Sequence, residues 1–240
     1  MSSDFDPRVQ FWTDAWSRHL ETYLDAVPRT GIWLERLIGG APKTLELAGG
    51  SCRDSRYLFQ RGWDATGSDF DDKTLAYLRQ RFAALRHPLL QLDAFATGLP
   101  DRAFDLTFHN GFFVLFRDDA QIIALLREQA RISRKAMVIV VHNALNQTLW
   151  KRFVRLAASD PIYDVRFFTP PEISGLVRQS GITFRKLEVR KFGGRADALY
   201  RARIKRLPNP IRGLARHLVP RLYSLQSWTQ TERIAVIVRL

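Results

Sequence analysis

The chain has 240 residues, 46% of them hydrophobic and 25% charged, which is enough to bury the core of one domain with additions. No run of about 18 apolar residues is present, so a membrane-spanning helix is not expected; the single cysteine, Cys52, excludes an intrachain disulfide framework and a multi-cysteine zinc site, and no metal site is expected. The net charge of +13 is unevenly placed: 12 Lys/Arg stand against Glu188 and Asp197 between Arg185 and Arg221, so an anionic partner is expected there, a lipid headgroup, an acidic substrate or nucleic acid.

The N-terminus, "MSSDFDPRVQFW", lacks a basic segment followed by an apolar one, so no secretory signal is expected and a reducing cytoplasm fits the lone cysteine. Phe11, Trp12, Trp16, Leu20, Tyr23 and Leu24 fall at roughly helical spacing until Pro28 and Gly31 break it. A second helix is expected from about Ile32 to Ile38, ended by Gly-Gly-Ala-Pro. From Thr44 the pattern alternates. "TLELA" reads as a strand, "SRYLFQRG" as a helix, "DATGSDF" as a strand and "KTLAYLRQRFAAL" as a helix. The strands "LLQLDA" and "FDLTFHNG" follow, then the helix "DDAQIIALLREQARIS". "KAMVIVVHN" is a continuous apolar run, as a strand covered on both faces requires. Thr169 is placed to cap the helix "TPPEISGLVRQSG", with Pro170 or Pro171 in its first turn. "ITFRKLEVRKF" and "TERIAVIVRL" read as a closing antiparallel pair. Strand–helix alternation of this kind predicts a doubly wound, mainly parallel α/β sheet.

In such a sheet, ligands bind outside the carboxyl ends of the strands. Ala48, Gly49 and Gly50 offer little side chain there, and the helix that follows presents free N–H groups to a carboxylate or phosphate. A plain strand-to-helix turn would look the same. Asp69, about twenty residues on, has the spacing at which an acid meets a ribose hydroxyl pair, although an Asx turn is the simpler account of an Asp beside Gly and Ser. The third strand ends at Asp93-Ala94, an acid and a small residue suited to an adenine amino group and ring. The fourth ends at His109 and Asn110, beside the same expected cleft.

These residues, in this order, resemble a class I S-adenosylmethionine-dependent methyltransferase over roughly residues 43 to 192. "ELAGGSC" is similar to the first motif, an acid followed by alternating glycines, with Ala48 for the first glycine and Cys52 for the last. "Ala-Gly-Gly" resembles the variant of ubiquinone and menaquinone C-methyltransferases. "LPDRAFDLTF" is similar to the passage into the fourth strand, and "REQARISRKAMVIV" to the helix and strand that carry a Pro-Gly-Gly turn, here replaced by Ser133-Arg134-Lys135. The resemblance implies a Rossmann-like, seven-stranded sheet with N-terminal helices and a basic helical insertion before the last strand. It implies S-adenosylmethionine held by Glu46, Ala48, Gly49, Gly50, Ser51, Asp69, Phe70, Asp93, Ala94 and Asn110. Cys52 departs from the pattern by adding a side chain where the loop packs close to helix and cofactor.

The expected organisation is a helical cap over residues 1–42, a cofactor-binding core over 43–192, a basic lid or insertion over 193–230 and a closing strand over 231–240. Methyl transfer from a sulfonium needs alignment and water exclusion, and a base only if the acceptor has a proton to lose. His109 and His142, at the ends of the fourth and fifth strands, are the candidate bases; capping a strand end is the alternative for each. Trp12, Trp16, Phe113 and Asn143 are candidates to wall the acceptor pocket, a small-molecule or lipid-linked acceptor being expected. In the basic segment, Ile211, Leu214, Ala215, Leu218 and Leu222 share one helical face with Arg212, Arg216 and Arg221 flanking or opposite it. A lid packed on the domain is the first reading, with contact to an anionic membrane surface close behind. Nucleic acid comes third, because no RNA-binding module accompanies the basic patch. A methyltransferase-fold binding or assembly protein without activity, or an RNA methyltransferase, are the alternative functions.

Overall fold

Seven segments of the chain extend into strands and join one sheet: β1 (Thr44–Glu46), β2 (Ala65–Asp69), β3 (Leu89–Gln91), β4 (Phe104–Asn110), β5 (Ser133–His142), β6 (Lys186–Phe192) and β7 (Arg233–Arg239). The structure is a computed structural model that describes Asp14, residues 18–202 and residues 208–240. The strand order is β3-β2-β1-β4-β5-β7-β6. Strands β1, β2 and β3 pair in parallel, as do β4 and β5, whereas β7 runs antiparallel to both β5 and β6. The sheet is therefore the expected doubly wound, mainly parallel one with an antiparallel pair closing it.

The helices are α1 (residues 18–24), α2 (Arg29–Ile38), α3 (Arg53–Gln60), α4 (Asp72–Arg81) and α5 (Asp119–Ile132). After them come α6 (Gln147–Ala157), α7 (Pro170–Gln179), α8 (Arg195–Ala202) and α9 (Asn209–Leu222). The chain divides into two compact units: residues up to Gly98 with Phe153–Asp164, and Leu99–Arg152 with Val165–Leu240. This division cuts across the four-part organisation read from the sequence.

In the first unit, Leu20 and Leu24 of α1 pack with Cys52, Leu75 and Leu78 in one buried cluster. Helix α4 starts where Asp71 accepts a hydrogen bond from the Thr74 N–H at 2.9 Å, satisfying one of the free donors of the first turn. In the second unit, β5 is buried along Ala136–His142, which accounts for its unbroken apolar run. Helix α7 has the predicted start: the Thr169 hydroxyl accepts from the Glu172 N–H at 3.3 Å, and the Glu172 carboxylate accepts from the Thr169 N–H at 3.2 Å. The missing Pro-Gly-Gly turn is replaced by direct entry from α5 into β5, where the Ser133 hydroxyl donates to Gln129 O at 2.6 Å.

Two helices escaped the sequence reading. Helix α6 was not expected, although its Leu149, Trp150, Phe153, Leu156 and Ala157 recur at helical spacing; that apolar face was legible, but none of its residues is buried. Helix α8 lies in the basic segment, where charge hides the apolar pattern. The packed-lid reading of α9 meets a further difference: Val219 and Tyr223 are buried, while Ile211, Leu214, Leu218 and Leu222 are exposed.

Candidate functional site

The stretch from Glu46 to Cys52 leaves β1 and enters α3 through three left-handed residues, Ala48 (φ 47°), Gly50 (φ 53°) and Cys52 (φ 44°). The loop N–H groups find acceptors within the fold: Gly49 donates to Ser68 O at 2.7 Å, Gly50 to the Asp69 carboxylate at 2.7 Å and Cys52 to Gly49 O at 3.0 Å. Only one of the three left-handed residues is glycine, so Ala48 and Cys52 hold backbone conformations that a side chain disfavours. A side chain at Gly49 has no room: its Cβ would stand 2.9 Å from Cys52 Sγ and 3.1 Å from the Glu46 carboxyl carbon. Cys52 precedes α3 without making a side-chain cap. Glu46 does that work, its Oε2 accepting from the Ser55 N–H at 2.8 Å. Burial, with Asp54 beside it, pushes Glu46 up to about 8.

Cys52 is buried, its Sγ packed close against Gly49 of the loop. It joins the cluster of Leu20, Leu24, Leu75 and Leu78, and a Cβ at Gly67 would lie 2.8 Å from its Sγ. Gly67 therefore makes the space that the cysteine occupies. Burial, with Glu46 and Asp69 nearby, raises the thiol well above its ordinary value, so it stays protonated and unreactive.

Asp69 ends β2 and reaches back to the loop: its Oδ2 accepts from the Gly50 N–H at 2.7 Å and its Oδ1 from the Asp71 N–H at 3.0 Å. Burial raises its pKa against the pull of those two N–H groups. Phe70, the next residue, is 50% exposed, an apolar ring held in solvent beside a buried acid. Asp93 lies two residues beyond the end of β3 and closes an Asx turn, accepting from the Phe95 N–H at 2.8 Å. Ala94 is half-buried and Phe95 is exposed. Sequence reasoning passed over Phe95; its signal was an aromatic two residues after a strand-end acid, where Phe70 follows Asp69 directly.

The second unit holds the other candidates. His109 is fully buried on β4, with its ring 4.1 Å from that of Phe113 and neither nitrogen hydrogen-bonded. Burial pushes its pKa down to about 3, so it is neutral at every physiological pH. Phe113 is itself buried against it, and so packs a core rather than lining an open wall. Asn143 is fully buried and occupied: its Nδ2 donates to Trp228 O at 2.8 Å and Thr231 O at 2.9 Å, and its Oδ1 accepts from the Leu145 N–H at 3.1 Å. The structure makes it a clamp between β5 and the segment before β7. His142, at the end of β5, stacks on Phe167 at 5.0 Å. Asn110 accepts from the Arg233 guanidinium, a partner drawn from a strand more than a hundred residues later that no local pattern could disclose. Trp12 and Trp16 lie outside the described residues, as do the side chains of Arg212 and Arg216.

Residues 44–136, which run from β1 into β5, match the family model of a methyltransferase domain. The chain is a methyltransferase-fold protein of class I. No curated protein is similar enough in sequence to match. Among solved structures, the chain is similar to an S-adenosylmethionine-dependent methyltransferase of Archaeoglobus fulgidus, with 14% identity, a TM-score of 0.63, and 93% of this chain and 99% of that one covered. It is also similar to the 1,6-didemethyltoxoflavin-N1-methyltransferase of Burkholderia thailandensis, solved with 1,6-didemethyltoxoflavin and S-adenosylhomocysteine bound. Identity there is 15% and the TM-score 0.58, over 100% of this chain and 92% of that one. A third is the magnesium protoporphyrin IX methyltransferase of Synechocystis PCC 6803 with bound S-adenosylhomocysteine, at 12% identity and a TM-score of 0.55, covering 100% and 90%. The matched span contains β1, β2, β3 and β4, and so every candidate cofactor residue.

Proposed function

We propose that the protein transfers a methyl group from S-adenosylmethionine to a small-molecule or lipid-linked acceptor. The observation that carries this reading is the loop after β1, where Gly49 admits no side chain and the Asp69 carboxylate is tied to the Gly50 N–H. The residues fit the cofactor. Glu46, Ala48, Gly49, Gly50 and Ser51 hold its methionine end, Asp69 accepts from the ribose hydroxyls with Phe70 against the sugar, and Asp93 with Ala94 meets the adenine. Asn110 is assigned to the same ligand, and its hydrogen bond to Arg233 fixes its carboxamide.

When bound, the cofactor supplies a methyl group already activated on a sulfonium. The protein's own work is to orient the acceptor in line and keep water out. An acceptor hydroxyl or ammonium also needs a base. Of the two histidines, His109 is closed off from solvent and held neutral by burial, so it positions Phe113 and its neighbours. The base role falls to His142, which ends β5 and is buried but less completely closed off, at 7% exposed. The didemethyltoxoflavin and protoporphyrin enzymes act on planar heterocycles, which supports a small-molecule acceptor over RNA. Under this reading the basic segment 193–222 meets an anionic surface or an acidic acceptor.

The alternative of a methyltransferase fold without activity was kept open by Cys52, whose side chain lies in the core cluster. Calorimetric titration of the pure protein with S-adenosylmethionine tests the proposal. Saturable binding at one site per chain is expected, and no heat at millimolar cofactor would end the reading.

A further inference from the structure

Among the described side chains of helix α9 and the turn after it, two anchor the segment to the second unit. Val219 and Tyr223 are buried, the Tyr223 ring lying 5.4 Å from that of Phe192 and its hydroxyl donating to Asp197 Oδ1 at 2.8 Å. Just beyond the helix, Gln226 Nε2 donates to Gly193 O, and Lys191 Nζ donates to Gln226 O at 2.6 Å. A different face carries Ile211 (52% exposed), Leu214 (65%), Leu218 (41%) and Leu222 (38%), and the stripe is prolonged by Leu225 (80%). The steps of three and four residues put these side chains on one helical face. Eleven large hydrophobic residues are strongly exposed among the described residues, and five of them lie in this one segment, so the exposure is a continuous stripe rather than scattered surface leucines.

The charge around the stripe selects its occupant. Between Arg195 and Arg221 the sequence has eight Lys/Arg and a single acid, Asp197. That acid is buried and engaged, accepting from the Tyr223 hydroxyl and from the Gly194 N–H at 3.2 Å. By sequence, then, cations outnumber acids eight to one in the segment that holds the apolar face. RNA would answer the charge and leave the leucines in water; an uncharged protein groove would answer the leucines and not the charge. An anionic bilayer answers both, with acyl chains taking the stripe and headgroups taking the cations. No helix of the described residues is long and apolar enough to cross a membrane, so the contact is interfacial.

We propose that α9 docks the protein on an anionic lipid surface, with Ile211, Leu214, Leu218 and Leu222 inserted among the lipids. This deepens the proposed function, and rests on it only where it favours a lipid-linked or membrane-dissolved acceptor.

The test is sedimentation of the full chain, without cofactor, with vesicles of equal parts phosphatidylglycerol and phosphatidylcholine and with vesicles of phosphatidylcholine alone. Binding to the anionic vesicles is expected, falling at least about tenfold on the neutral ones and in high salt, since the attraction is screened over roughly 8–10 Å. The double variant Leu214→Gln, Leu218→Gln is expected to lose at least about tenfold in vesicle affinity while keeping its melting temperature and its calorimetric binding of S-adenosylmethionine. Several outcomes overturn the proposal: no vesicle binding, equal binding to both compositions, or a variant that melts much earlier because the leucines pack within the fold. So does a dimer in solution that the variant dissolves, or salt-sensitive RNA binding that the variant leaves untouched. Failure here with cofactor binding intact removes the docking surface alone; loss of cofactor binding in the unmodified chain removes the proposed function alone.

Discussion

At the strand ends of the first unit the polar groups are carboxylates met by backbone N–H groups: Glu46 by Ser55, Asp69 by Gly50 and Asp71, Asp93 by Phe95. At those of the second unit the prominent groups are histidines met by aromatic rings, His109 by Phe113 and His142 by Phe167. The first arrangement holds acids in fixed positions while leaving carboxylate lone pairs for a ligand. The second removes water and, for His109, removes the charge as well. Hydrogen-bonded acids and ring-packed histidines are thus divided along the chain.

The sharpest way to break this contrast is through Glu46. Its folded pKa, pushed up to about 8, lies above the ordinary 4.5, so its contribution to stability is full below about pH 4.5 and is lost as pH rises through 8. Urea unfolding from pH 5 to 9 should show a decline on the order of 2–4 kcal/mol that the Glu46→Gln variant flattens. A profile unchanged by that substitution would mean that Glu46 is ionised as an ordinary cap.

Asp69→Ala removes the acceptor that faces both the Gly50 N–H and the assigned ribose. Calorimetry should record a loss in S-adenosylmethionine affinity of about 1–3 kcal/mol. Full affinity in the variant would shift the binding role away from this strand end.

Gly67→Ala sharpens the account of Cys52. The added methyl would meet Cys52 Cβ and Sγ at 2.8 Å and Leu89 Cδ2 at 2.9 Å, and should cost about 1–2 kcal/mol in thermal unfolding. The cost should shrink in a Cys52→Gly background, while Cys52→Gly alone should keep the cofactor affinity of the natural chain. Additive costs would show that the two residues do not share the space.

The smallest effect is expected at His109. Replacing it with Phe deletes two buried, unpaired nitrogens at similar volume, so stability should change by no more than about 1 kcal/mol and can rise. Methyl transfer that collapses in this variant while cofactor binding persists would return His109 to the list of reacting groups.

Sequence alone determined the alternation of strands and helices, the parallel sheet with its antiparallel close, the Thr169 cap and the order of the strand-end acids. Each of these is written locally, in a period of two or 3.6 residues, a capping pair or a turn residue. It also disclosed the basic segment, since charge is additive along a chain. Tertiary structure decided what local pattern cannot carry. The Cys52 side chain goes to the core because Gly67, fifteen residues away, leaves a gap for it. Asn143 is lost to any ligand because Trp228 and Thr231 claim its amide. His109 is stripped of its proton affinity because burial, invisible in the sequence, disfavours the charged ring. The apolar face of α9 was legible as a face, but its direction depends on which side Val219 and Tyr223 find a partner. Amphipathic spacing sorts residues around a helix and says nothing about which side meets the protein; that follows only from the surfaces that the fold brings to it.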